Sequence, residues 1–381
     1  MSAVQRESEA MNMSRGSRKI RIIIAGGGTG GHIFPAVAIA HALKRLRPDI
    51  DILFVGAKGK MEMERVPQAG YRIEGLDIAG FNRSSLIKNI GLPYKLLKSF
   101  FQVKRILRVF RPDAVLGVGG YSSFPVLRYA QARGVPTFIH ESNSFAGRSN
   151  ILLGQKATKI FVATDGMEKF FPAEKLMITG NPVRRNIADN SIGREQGIRF
   201  FNMNPSRKTV LVMGGSLGAK SINEATDAGI AELAKVQAQL IWQTGKAYVV
   251  RAAERAVDNK HIWVNDFITK MEYAFAAADV VVARAGAMTI AELCVVGKPA
   301  LLVPYPFAAE DHQTANAQNL VQKNAAILIR DAEAKQKLIP TLLALLADEA
   351  RQRELAENIG RLAVKDADQV IAHEILKCIH G

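Results

Sequence analysis

The chain is poor in cysteine. Cys294 and Cys378 are the only two in 381 residues, too few for a disulfide framework, so a reducing compartment is expected; their spacing matches no metal site. Acid is scarce as well: 35 Asp and Glu stand against 51 Lys and Arg, a net charge of +16. That excess implies an anionic partner, whether nucleic acid, an acidic membrane surface or a phosphorylated substrate. No apolar run reaches the roughly 20 residues needed to cross a bilayer. Residues 1–18 are polar and lack the apolar stretch of an export signal, so they read as a disordered tail.

What the chain has is apolar content of 48% and length for two domains, each with its own core. Apolar runs predict strands at 20–25, 51–55, 113–118, 136–140, 159–163 and 176–179, then again at 208–213, 239–243, 260–264, 279–283, 299–303 and 325–329. Helical patterns separate them. The fold class expected is therefore α/β, with two Rossmann-like domains in series. They join near Gly180-Asn181-Pro182-Val183-Arg184-Arg185, and ligands belong in the cleft beyond the C-terminal strand ends.

Glycine concentrates in three loops. The first, Gly26-Gly27-Gly28-Thr29-Gly30-Gly31-His32, follows the β-branched run Ile20–Ala25 and precedes a helix opening at Phe34-Pro35. Backbone without Cβ lets another molecule approach, and free N–H groups at a helix start favour negative charge. The loop is neither G-x-x-x-x-G-K-[ST] nor a clean dinucleotide fingerprint, and it ends in a histidine. The second loop is Gly117-Val118-Gly119-Gly120-Tyr121-Ser122-Ser123-Phe124-Pro125. The third, Gly214-Gly215-Ser216-Leu217-Gly218-Ala219-Lys220, is the best diphosphate cradle, because the Ser216 hydroxyl and a helix N-terminus join the glycines.

Polar residues sit at other strand ends. His140 and Glu141 read first as loop ties, whereas Asn143, just past the strand tip, is better placed for a ligand. Glu292 reads as a first-turn acid of the helix after Ala285-Gly286, suited to accepting two ribose hydroxyls. Gln313 and Asn316, three apart, share a helix face, and amides suit sugar hydroxyls.

Residues 81–111 carry eight Lys or Arg and no acid: Arg83, Lys88, Lys95, Lys98, Lys104, Arg105, Arg108 and Arg111. A helix with Leu96, Phe100, Val103 and Leu107 on its core face accounts for part of the segment. The surplus apolar residues Ile87, Leu92 and Phe101 beside one-signed charge suit docking on an anionic membrane surface. No nucleic acid partner is expected, since no recognition motif accompanies the charge.

From about residue 19 to the C-terminus, these motifs in this order resemble the MurG family of bacterial glycosyltransferases, which add N-acetylglucosamine to lipid I to make lipid II. The resemblance implies a GT-B fold: a lipid I and membrane-facing acceptor domain at 19–184, a UDP-GlcNAc domain at 185–361, and a helix at 362–381 packing back on the first domain. It implies a peripheral enzyme of peptidoglycan synthesis at the cytoplasmic face of the inner (plasma) membrane. Carried over by position, Thr29, Gly30, Gly31 and Asn143 line the sugar and acceptor side. Arg184 and Ser216 face the diphosphate, and Ile268 offers its backbone to uracil. Ala287, Met288, Thr289, Ile290, Ala291 and Glu292 wrap the nucleotide, and Gln313 holds the sugar hydroxyls. The chain departs from the family pattern at Leu217, Ser142, Phe124 and His312.

An α-linked donor and a β-linked product require one inversion, so a base must take the acceptor proton. His32 is the candidate, because histidine ordinarily titrates near pH ~6.5. Two D-x-D triplets, Asp49-Ile50-Asp51 and Asp366-Ala367-Asp368, precede a strand and lie in the terminal helix. Neither suits a metal beside the diphosphate, so no metal and no other cofactor is expected. A UDP-N-acetylglucosamine 2-epimerase of the same fold is the alternative enzyme, and a basic lipid-binding scaffold the alternative without chemistry.

Overall fold

The computed structural model describes residues 19–79, 91–257, 259–308 and 311–380. The expected tail at 1–18, and Arg83, Leu86, Ile87, Lys88 and Ile90 of the basic segment, lie outside them. Two wholly parallel sheets form. The first holds β1 (Arg21–Ala25), β2 (Asp51–Ala57), β3 (Arg72–Leu76), β4 (Ala114–Gly117), β5 (Thr137–Glu141), β6 (Lys159–Val162) and β7 (Leu176–Ile178), in the order 3-2-1-4-5-6-7. The second holds β8 (Thr209–Met213), β9 (Gln239–Gln243), β10 (Ile262–Asn265), β11 (Val280–Ala283), β12 (Ala300–Leu302) and β13 (Ile327–Leu328), in the order 10-9-8-11-12-13.

The apolar runs make the central strands because helices cover both faces. Ile22 and Ile24 of β1 enter one core cluster, and Ile23 and Ala25 the opposite one, as a two-residue period demands. Each expected strand forms. The sequence reading missed β3, an edge strand whose residues Arg72, Ile73, Glu74 and Gly75 are exposed or half-buried. Such an edge has one open flank and needs no continuous apolar run.

Six helices position the site: α1 (Gly30–Leu46), α2 (Leu92–Phe110), α3 (Lys220–Lys235), α4 (Ala287–Val296), α5 (His312–Gln322) and α6 (Ala367–His380). Although last in the chain, α6 packs on α1 of the first domain. Ile371, Ala372 and Ile375 are fully buried with Ile39 and Leu43. Burial of each large apolar side chain contributes about 1.5–3 kcal/mol. Arg45 to Asp368 at 2.7 Å and Lys159 to Glu374 at 2.9 Å fix the helix in place.

In α2 the buried face is Ser99, Val103 and Leu107. Leu96 was expected on that face but is exposed, because the first two turns of α2 run beyond the cover of the neighbouring elements. Asp77 after β3 anchors the helix through Lys98 at 3.0 Å, and Lys58 joins the same carboxylate at 3.0 Å. The two cations hold its pKa down at about 2.

β1 pairs with both β2 and β4, so the strand order turns back beside it, and the first and second glycine loops leave the sheet at that point. β8 pairs with β9 and β11 and repeats the arrangement for the third loop and the start of α4. Two switch points therefore face each other across the cleft, where open α/β sheets bind ligands.

Candidate active site

The first two glycine loops interlock. Gly27 N–H donates to Gly119 O at 3.3 Å, and a Cβ on Gly120 would sit 2.5 Å from Gly27 O. Gly119 and Gly120 have φ of +95° and +83°, which a side chain would oppose. Thr29 caps α1, its carbonyl accepting from the N–H groups of His32 and Ile33 at 3.1 and 3.2 Å. Gly30 and Gly31 form the first turn.

His32 Nδ1 lies 3.0 Å from Gly27 O. A carbonyl can only accept, so Nδ1 carries the proton and Nε2 keeps its lone pair. Nε2 points at Gly119, where a Cβ would stand 2.8 Å away. Glycine at 119 therefore leaves room around that lone pair.

Below the first loop lies a carboxylate that the sequence reading missed. Glu62 is 1% exposed and begins the short helix Glu62–Gln68. It accepts from Gly28 N–H at 2.8 Å and Ala57 N–H at 2.9 Å. No sequence pattern marks it, because its partners are main-chain groups supplied by the fold. Glu62→Ala strips two donors of their acceptor at about 1–3 kcal/mol each. Melting curves recorded beside turnover should show a lower Tm and a slower enzyme. An unchanged Tm with full turnover would refute this role.

Glu141, 5% exposed, ties the next loop together as expected of a strand-end polar group. It accepts from Asn143 N–H (3.1 Å), Asn143 Nδ2 (3.2 Å), Gly147 N–H (3.1 Å) and Asn150 Nδ2 (2.9 Å). The amide nitrogen of Asn143 is thus held by Glu141, which leaves its oxygen for other partners. His140 is fully buried. Burial drives its pKa down to about 4, with the charge of nearby His32 pushing the same way.

On the facing domain, Ser216 is half-buried on the third loop. Gln243, also missed, links that loop to the next. Its Nε2 donates to Gly215 O at 3.0 Å, and its Oε1 accepts from Ile268 N–H at 2.9 Å. The amide N–H of Ile268 is therefore occupied within the protein. Glu292 lies in the second turn of α4, not the first, because Gly286 caps a helix that starts at Ala287. Side chains lean toward a helix N-terminus, so its carboxylate still reaches the cleft. There Arg184 donates to Glu292 Oε1 from Nε at 3.2 Å and Nη2 at 3.0 Å. The guanidinium also stacks 4.6 Å over Phe34 of α1.

The structure thus brings Arg184 and Glu292 together as one ion pair, with Phe34 of α1 as a third member. Met288 is buried and Thr289 half-buried, while Ala287, Ile290 and Ala291 turn to a different face of α4. Gln313 Oε1 accepts from Tyr305 N–H at 2.9 Å, so its amide nitrogen is the group left for a ligand. Asn316 bridges the cleft, accepting from Ser144 Oγ at 3.1 Å and donating to Ala285 O at 3.2 Å. Three of the four D-x-D acids have structural partners: Asp49 pairs with Arg47, Asp51 with Arg72, and Asp368 with Arg45.

Two family models cover most of the chain. The glycosyltransferase family 28 N-terminal domain matches residues 22–162, and the family's C-terminal domain matches 209–371. The chain belongs to glycosyltransferase family 28. This family 28 chain is 54% identical over 362 residues to a protein of Bacteroides fragilis, which covers 94% of the chain and 95% of that relative. The relative is named UDP-N-acetylglucosamine–N-acetylmuramyl-(pentapeptide) pyrophosphoryl-undecaprenol N-acetylglucosamine transferase. The solved structure of Acinetobacter baumannii MurG matches with a TM-score of 0.73 at 29% identity, over 94% of this chain and 99% of that one. The fold is accordingly GT-B. A solved UDP-N-acetylglucosamine 2-epimerase also matches, with a TM-score of 0.67 over 94% of this chain and 95% of that one. At 15% identity it shares the fold alone.

Proposed function

We propose that the chain transfers N-acetylglucosamine from UDP-GlcNAc to the C4 hydroxyl of the muramyl sugar of lipid I, making lipid II with inversion. The 54% identity, across nearly its whole length, to a transferase of that name carries the reading. The epimerase alternative has only a shared fold behind it.

In this reading the acceptor hydroxyl attacks C1 of the donor sugar and gives its proton to His32 Nε2. The bond from C1 to the diphosphate oxygen breaks, and UDP leaves with the electron pair. The N–H groups of the Ser216 loop and the Arg184 guanidinium stabilise the departing charge. Glu292 holds the ribose hydroxyls, and Gln313 with Asn143 holds the sugar. Uracil lies against the Ile268 segment. Incubation with labelled UDP-GlcNAc and a lipid I analogue should move label to the lipid. Label released only as free sugar, or UDP-GlcNAc converted to its 2-epimer, would overturn the reading.

The acceptor is tethered to a membrane, and α2 suits the surface of one. Tyr94, Leu97 and Phe101, 71%, 58% and 63% exposed, follow one another at helical spacing, and Arg105 and Arg108 continue the stripe. No helix among the described residues is long and apolar enough to span a bilayer. The Leu97→Ser, Phe101→Ser double variant should bind anionic vesicles at least about tenfold more weakly, from the apolar burial lost. Equal sedimentation of both proteins with those vesicles would remove α2 from the contact.

A further inference from the structure

We propose that a pocket between the two domains receives the peptide branch of the acceptor. The inference rests on the transferase reading, in which the acceptor carries a pentapeptide. The pocket has a volume of about 650 Å³, within the usual range for small-ligand sites. The segments after β5 and β6 form one wall, and α4 and α5 form the other.

The pocket lies on a different face of α4 from the Arg184–Glu292 pair. Ala287, Ile290, Ala291 and Cys294 line it and occupy one face of α4, whereas Glu292 of the same helix turns to Arg184. The pocket nevertheless reaches the reacting end of the cleft. Ser142 lines it, with Oγ 3.5 Å from His140 Nδ1, and the strand β5 that carries His140 pairs with β4, whose following loop brings Gly119 against His32. An acceptor whose hydroxyl meets His32 can therefore lay a substituent here.

Unmet polar groups indicate what kind of substituent. Asn181 is 8% exposed and donates from Nδ2 to Ser142 O at 3.0 Å, but its Oδ1 has no partner. Thr164 Oγ1 is buried and unpaired as well. Both residues line the pocket. A buried acceptor without a donor is unfavourable, so Asn181 calls for an N–H or O–H. Lys169 and Lys323 also line the pocket, and neither makes an ion pair among the described residues. Asp165 is the one acid beside them, so two cations outweigh it. Ala287, Ile290, Ala291, Cys294 and Leu320 give the α4 and α5 wall an apolar stretch, with Asn316 and Asn319 beside it. Cys294 belongs to it as a neutral thiol, its pKa pushed up to about 12 by burial. A peptide matches each part: amide N–H for Asn181, small side chains for the apolar wall, and a terminal carboxylate for the lysines.

The test compares two acceptor analogues, one bearing the pentapeptide and one without it. The variants are Thr164→Val and the double change Lys169→Ala, Lys323→Ala. The wild type should show a KM for the peptide-bearing acceptor about tenfold below that for the bare one. The lysine variant should erase that advantage, and Thr164→Val should reduce it, with kcat and donor KM unchanged. Equal KM for both acceptors in the wild type, or variants that shift both acceptors alike or neither, would overturn the pocket assignment. Absence of transfer to either acceptor, with UDP-GlcNAc bound, would instead overturn the transferase reading.

Discussion

Replacing His32 with alanine is expected to lower kcat by about 10²–10⁴-fold, the usual contribution of a positioned general base. Donor affinity should stay within about twofold, since no donor contact is assigned to the ring. The argument is geometric. The 3.0 Å contact with Gly27 O fixes the proton on Nδ1, so the free lone pair is on Nε2, on the side of the ring toward Gly119. Stopped assays of both proteins, with UDP binding measured by calorimetry, decide the matter. Near-normal turnover by the variant would reduce His32 to a loop tie.

Glu292→Ala should weaken UDP binding by roughly 10- to 100-fold, since each hydrogen bond to a charged group is worth about 1.5–3 kcal/mol. The change also deprives Arg184 of its carboxylate at 3.0 Å, in a setting where the arginine side chain is only 18% exposed. Loss of one member of a part-buried pair destabilises, so Tm should fall as well. Glu292→Gln separates the two effects. It keeps an acceptor for a ribose hydroxyl but removes the charge that Arg184 faces. UDP affinity should therefore recover partly in the glutamine variant, while acceptor KM stays put in both. Unchanged UDP affinity in Glu292→Ala would remove the carboxylate from the donor site.

The order of motifs along this chain, together with its apolar runs, determined the class of fold, the two domains and the positions of three glycine loops. These are local properties. A buried parallel strand needs a continuous apolar run, and a phosphate-facing turn needs residues without Cβ, so both are visible in the residues themselves. The edge strand β3 escaped because an edge is not buried on all sides, and Leu96 was misplaced because helical spacing does not reveal where a neighbour ends. Only the tertiary structure decided that Arg184 and Glu292, 108 positions apart, form one pair, or that Glu62 holds the first loop from below. It alone chose the tautomer of His32 and left Asn181 Oδ1 unmet beside an open pocket. Such facts concern which groups meet across distant segments and which remain unpaired. Hydrogen bonds have no sequence spacing when the fold itself brings donor and acceptor together.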